Sequence, residues 1–247
     1  MQTRPVRHLS LCLLSLGLCA SVAACDRDGP SREAPEAAAA AAASAAPAPA
    51  QAPDIVVDPL NVSVGSNKVA TGEPALADRV AVFLASQPMI AGQTVSVVVM
   101  RNAKPSGPLA VLSALRKARA AAAVIRTAGR DGATLKLPIT FAPSAADCAT
   151  VAWIAKDAAL DVWPAGGGTA KRIPRGLAGP DMTLGGEAVQ KQLSGCSALQ
   201  IFVGADEAMT WGLEFDLATN ALSVPGRGVS AAVLVADAVP GRKLVAP

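Results

Sequence analysis

The chain has 247 residues, 51% of them hydrophobic, and a formal charge of +3, enough for one or two domains with a buried core. Arg4 and Arg7 lie in residues 1–25, which hold no acidic residue, so the remainder carries 20 basic against 19 acidic side chains and gives no electrostatic reason to expect nucleic acid as a partner. The only histidine, His8, lies in the same leader and there is no tyrosine; most hydrolase triads and zinc sites are thereby excluded, and neither an enzyme nor a bound metal or cofactor is expected.

Residues 1–24 read as an export signal: Arg4 and Arg7, the apolar run Leu9–Leu18, then small residues. The leader ends Val22-Ala23-Ala24-Cys25, which resembles the lipobox of bacterial lipoproteins. That resemblance implies cleavage before Cys25 and a diacylglycerol on its thiol, and so a protein facing the periplasm from a bacterial membrane. The competing reading, an uncleaved anchor over His8–Ala24, sits at the short limit for crossing a bilayer. Asp26 resembles an inner-membrane retention signal while Arg27 does not reinforce it, which leaves inner and outer membranes open. Residues 25–53 are rich in alanine and proline. Alanine favours helix, but Pro47, Pro49 and Pro53 break it and no apolar stripe is present, so a disordered tether is expected.

A first unit is expected over residues 54–145. Leu60–Val64 and Lys68–Ala70 flank Gly65-Ser66-Asn67, a hairpin turn. Gly72-Glu73-Pro74 opens a helix whose apolar stripe is Leu76, Val80, Phe83 and Leu84. Thr94–Met100 is a continuous β-branched run, as in a strand buried on both faces. Leu109, Val111, Leu112 and Leu115 make the next helix amphipathic, with Arg116, Lys117 and Arg119 near its C-terminal end, where they suit the helix dipole. Ala121–Ile125 is a further apolar run.

A second unit is expected over residues 146–247. Ala149–Ile154 and Leu160–Trp163 read as strands. Gly166-Gly167-Gly168 is a loop, lacking the spacing of a phosphate-binding loop. Asp181 caps a helix through about Leu193. Leu199–Val203 is a strand, Gly204–Asp206 a turn, a helix follows, and Val229–Val235 closes the unit. Arg101 to Gly107 spans six residues, and so does Asp206 to Gly212. Both units therefore follow one plan, β-β-α-β-α-β.

That plan resembles the periplasmic domain of the ExbD/TolR biopolymer-transport family. Gly72-Glu73-Pro74 fits the family's turn, and Pro105-Ser106-Gly107 its helix start with serine in place of the aromatic. Arg101 stands where the family has aspartate. In the second unit Asp206 matches that aspartate, Trp211 the aromatic, and Gly212 follows it. The resemblance implies an α+β fold of two tandem ExbD/TolR-like units. Residues 1–25 carry no carboxylate of the kind the family's membrane helix uses for proton-coupled work, so no proton conduction is implied. It further implies a non-enzymatic, lipid-anchored binding or scaffold protein, accessory to an ExbB/ExbD- or TolQ/TolR-type complex, or alternatively a peptidoglycan-binding module. Family domains dimerise; the duplication implies a monomer here.

The residues themselves offer few sites. Cys148 and Cys196 are the only cysteines after Cys25. Export favours a disulfide between them over two buried thiols, contributing about 4 kcal/mol in the chain-entropy account. Trp153 is assigned to the core. Trp211, opening a helix after a loop, is the surface candidate, and with Asp206 and Gly212 makes up the candidate partner-binding residues. Asp206 and Glu207 are read as capping the helix that follows them, and Glu214 and Asp216 as a solvated face.

Overall fold

Three strands, a helix, a strand, a helix and a strand succeed one another along the chain, a further strand follows, and then the same order comes again. The computed structural model describes residues 54–87, 89–141, 145–198, 200–223 and 229–245. The leader, Cys25 and the tether through residue 53 fall outside them, as does the lipidation expected at Cys25. The first half holds β1 (Ile55–Val57), β2 (Asn61–Val64), β3 (Asn67–Ala70), α1 (Leu76–Ala85), β4 (Thr94–Val99), α2 (Ser106–Lys117), β5 (Ala122–Ala128) and β6 (Thr134–Thr140). The second holds β7 (Thr150–Ile154), β8 (Leu160–Pro164), β9 (Lys171–Ile173), α3 (Met182–Leu193), β10 (Gln200–Ala205), α4 (Trp211–Leu222) and β11 (Ala231–Leu234).

The fold is α+β, with all these strands in one mixed sheet of order β3-β2-β1-β4-β5-β6-β11-β10-β7-β8-β9. β1, β2 and β3 form an antiparallel meander; Gly65 takes φ +57° in its two-residue turn, a value that favours glycine. β1, β4 and β5 run parallel, and so do β7, β10 and β11. β6 joins the halves, antiparallel to β5 and touching β11 through the pair Ala232↔Ile139. Pro138 in β6 has no N–H to offer a neighbour, in keeping with so thin a ladder on one side.

Each half thus carries a strand more before its first helix than the expected β-β-α-β-α-β, and β6 was not anticipated. β1 and β9 have three residues each, too few to show a period of two. The expectation for Thr94–Met100 is also corrected. Val95, Val97 and Val99 are buried while Thr94, Ser96 and Val98 are exposed, so β4 is covered on its helix side only.

All four helices pack on one face of the sheet in a continuous core that includes Val57, Val97, Leu115, Val203 and Phe215. In the second half the opposite face is covered as well, around Trp163, Phe202, Val233 and Leu244. The C-terminal segment makes that cover: Trp163 Nε1–H donates to Arg242 O at 3.0 Å and Leu244 N–H to Ala165 O at 2.8 Å. Trp153 belongs to the same cluster, as expected. Cys148 and Cys196 are bonded, with Cα atoms 5.5 Å apart, and tie the segment before β7 to the one before β10. Among the described residues no helix is long and apolar enough to cross a membrane.

Candidate functional site at the seam

The two stretches that share a spacing, 101–107 and 206–212, lie against each other. Trp211 N–H donates to Ala103 O at 2.8 Å and Gly212 N–H to Arg101 O at 2.7 Å. A Cβ on Gly212 would stand 3.0 Å from Arg101 O, so glycine is what allows the two backbones to approach this closely. Glu207 reaches across to the start of α2, accepting from Ser106 N–H at 3.1 Å and from Ser106 Oγ–H at 2.7 Å. A carboxylate there meets unpaired N–H groups and the positive helix end.

These contacts correct the expected roles. Glu207 caps α2, a helix of the other half. Asp206 Oδ1 accepts from Ala208 N–H at 2.9 Å and closes a turn; the N-cap of α4 is Thr210, with no side-chain hydrogen bond. Trp211 is fully buried. Its Nε1–H donates to Thr127 Oγ1 at 2.8 Å, and the Thr127 hydroxyl donates to Val99 O at 3.0 Å. Phe215 tilts against it at 5.8 Å between ring centroids. The indole therefore fills the junction of the halves, because its own backbone is tied to Ala103. Gly212 is buried with it. Of the three candidate partner-binding residues only Asp206 retains surface.

Glu214 and Asp216 do not form a solvated face either. Asp216 takes a bidentate pair from Arg101, Nη1 to Oδ1 at 2.9 Å and Nη2 to Oδ2 at 2.7 Å, and Arg130 Nε adds a third bond at 3.0 Å. Burial pushes the Asp216 carboxyl up, but the hydrogen bonds from Arg101 and then Arg130 outweigh it and hold the group below its ordinary value. The carboxylate is thus stabilised in the fold. Its contribution is present above the unfolded value of about 3.9 and is lost as pH falls through the lowered native value. Asp216→Asn is expected to cost about 2 kcal/mol at neutral pH, the range for a charge-assisted pair that is mostly buried. Urea denaturation across pH 2–7 checks this: the difference from the unsubstituted chain shrinks at the acid end.

Glu214 is completely buried, and neither carboxylate oxygen has a hydrogen-bond partner among the described residues. Burial first, then the nearby charge of Glu207, push its carboxyl well above the ordinary range, which favours the neutral acid. A sequence signal existed: Glu214 stands three residues after Trp211 and four before Ala218, on the apolar stripe of α4. Thr127 and Arg130 carry no such signal, since each joins the site only through the tertiary fold.

Hollows border the seam among the described residues. A shallow groove of about 660 Å³ follows α4, with Arg130, Asp181, Leu213, Asp216 and Asn220 among its walls. Two more lie beside α2, one of about 210 Å³ and one of about 490 Å³. Among the described residues no group of three or more His, Cys, Asp or Glu side chains is placed to hold a metal. No protein-family model, curated protein or solved structure matches this chain.

Proposed function

We propose that the chain is a non-enzymatic binding or scaffold protein, anchored by lipid at Cys25 and facing the periplasm, built from two copies of one ExbD/TolR-like unit. The observation that supports the doubled unit is the strand order. The first half runs β3-β2-β1-β4-β5 and the second β9-β8-β7-β10-β11, the same connectivity twice, with parallel and antiparallel pairs in corresponding places. The corresponding loops 101–107 and 206–212 lie against each other at the seam, although their bonds are not reciprocal: Trp211 and Gly212 N–H reach Ala103 and Arg101 O, whereas Ser106 N–H goes to the Glu207 carboxylate. Internal duplication then supplies both members of a dimer, and the protein acts as a monomer, accessory to an ExbB/ExbD- or TolQ/TolR-type complex.

A second reading, a peptidoglycan-binding module, draws on the open groove along α4, of about 660 Å³, whose walls mix Arg130, Asp181, Asp216 and Asn220 with apolar Met182 and Leu213. In-cell crosslinking of the full chain followed by affinity capture separates the two. Recovery of an ExbB- or TolQ-like component is the expected result; wall fragments without it favour the second reading. Capture of neither overturns both.

A further inference from the structure

The two hollows beside α2 adjoin one another and differ sharply in character. The inner one, about 210 Å³, is lined by Leu109, Leu112, Ile139, Phe141, Val233 and Leu234. The outer one, about 490 Å³, has Trp153, Asp206, Glu207 and Asp237 on its wall. Leu109, Ser113 and Ala236 border both. They lie at the C-terminal ends of the parallel strands β10 and β11, which stop at Ala205 and Leu234, the end of a parallel sheet where ligands characteristically bind.

Size and polarity define what fits. An apolar cavity of about 150 Å³ already accepts a benzene ring, so the inner hollow has room for one aromatic side chain. Its polar side chains are Ser113 and Arg116, at exposed positions of α2, and the half-buried Thr140, so water inside would find few partners. The outer hollow carries surplus negative charge. Asp237 is exposed and has no ion-pair partner among the described residues, and Asp206 uses only Oδ1, for the Ala208 N–H. Glu207 spends both oxygens on Ser106. The outer volume exceeds what an ammonium group alone would fill and leaves room for a stretch of backbone. Arg116, at the inner hollow, disfavours a second cation there and so sets the direction.

We infer that the paired hollows bind a peptide segment of a partner protein in which an aromatic side chain, seated among Leu112, Ile139 and Leu234, stands beside a lysine or arginine held by Asp206 and Asp237. The inference rests on the binding-module reading and adds the partner chemistry. The probe is N-acetyl-phenylalanyl-lysine amide, added to the full chain and followed by methyl NMR at Leu112, Ile139 and Leu234. Saturable shifts are expected. The phenylalanyl-glutamate and alanyl-lysine analogues should bind about tenfold more weakly, a difference of about 1.4 kcal/mol. Ser113→Trp, a change at an exposed position between the hollows, should abolish the shifts. Asp237→Lys, also exposed, should invert the preference between the lysine and glutamate probes.

Equal response to all three probes, or unchanged binding in both variants, overturns the site. The crosslinking experiment keeps this separate from the broader reading. A partner captured equally by the unsubstituted chain and by Ser113→Trp leaves the binding module standing and removes this site from it. Selective probe binding with no captured partner does the reverse: the recognition chemistry stands and the accessory role falls.

Discussion

Trp211→Ala is expected to lower the unfolding free energy by about 3–5 kcal/mol, the range for emptying a core tryptophan site. The indole is fully buried where α4 of the second half meets β4 and β5 of the first, and the helix-side core is continuous across that junction. Removing it opens a cavity that the backbone bonds from Trp211 and Gly212 to Ala103 and Arg101 prevent from collapsing. Trp211→Phe keeps most of the apolar contact and deletes only the Nε1–H bond to Thr127. The Thr127 hydroxyl still has Val99 O, so the loss should be about 1 kcal/mol from the bond itself, plus a smaller packing cost. Guanidinium denaturation of the two variants checks the order. A surface tryptophan would give values within about 0.5 kcal/mol of the unsubstituted chain, and that outcome would return Trp211 to the role of an exposed contact residue.

The contrast between the spacing of these stretches and their contact shows how far local pattern reaches. Asp181 announced its helix: it stands just before α3 and accepts from Thr183 and Leu184 N–H, an arrangement encoded within four residues. The shared spacing of 101–107 and 206–212 was equally visible. What no window of sequence carries is that the two meet, since their contacts join residues about a hundred positions apart. Arg101 illustrates the consequence. At the position corresponding to Asp206 the first stretch has arginine, a departure that looks like loss until Asp216 is found opposite it. The exposed face of β4 is hidden in its sequence for another reason. Thr94 and Ser96 mark the exposed face at a spacing of two, and Val98 on that same face, 36% exposed, blurred the alternation into an apparently continuous run. Glu214 lay on the apolar stripe of its helix. Its charge argued for solvent, and position outweighed it.

Replacing Glu214 should stabilise the protein, by an amount that depends on pH. The carboxyl is raised in the native state by burial and by Glu207, so the fold holds a proton that the unfolded chain releases above about pH 4.3. The sign follows from linkage. Below that pH both states are protonated and the group has no pH-dependent effect. As pH rises toward the native value, unfolding releases a proton and stability falls by about 1.4 kcal/mol per pH unit. Glu214→Gln keeps the shape and removes the titration. It should match the unsubstituted chain near pH 4 and exceed it progressively as pH rises toward the raised native value. Glu214→Met also removes the unpaired polar oxygens, whose desolvation costs about 1–3 kcal/mol, so it should be the more stable variant even at pH 4. The acid limb contributed by Asp216 is common to all three proteins and cancels in the differences. Urea denaturation at half-unit intervals from pH 4 to 8 measures them directly. A Glu214→Gln difference that stays flat with pH would mean the carboxyl reaches water or a cation in solution, and α4 would then have to be less tightly seated on the sheet than its buried face indicates.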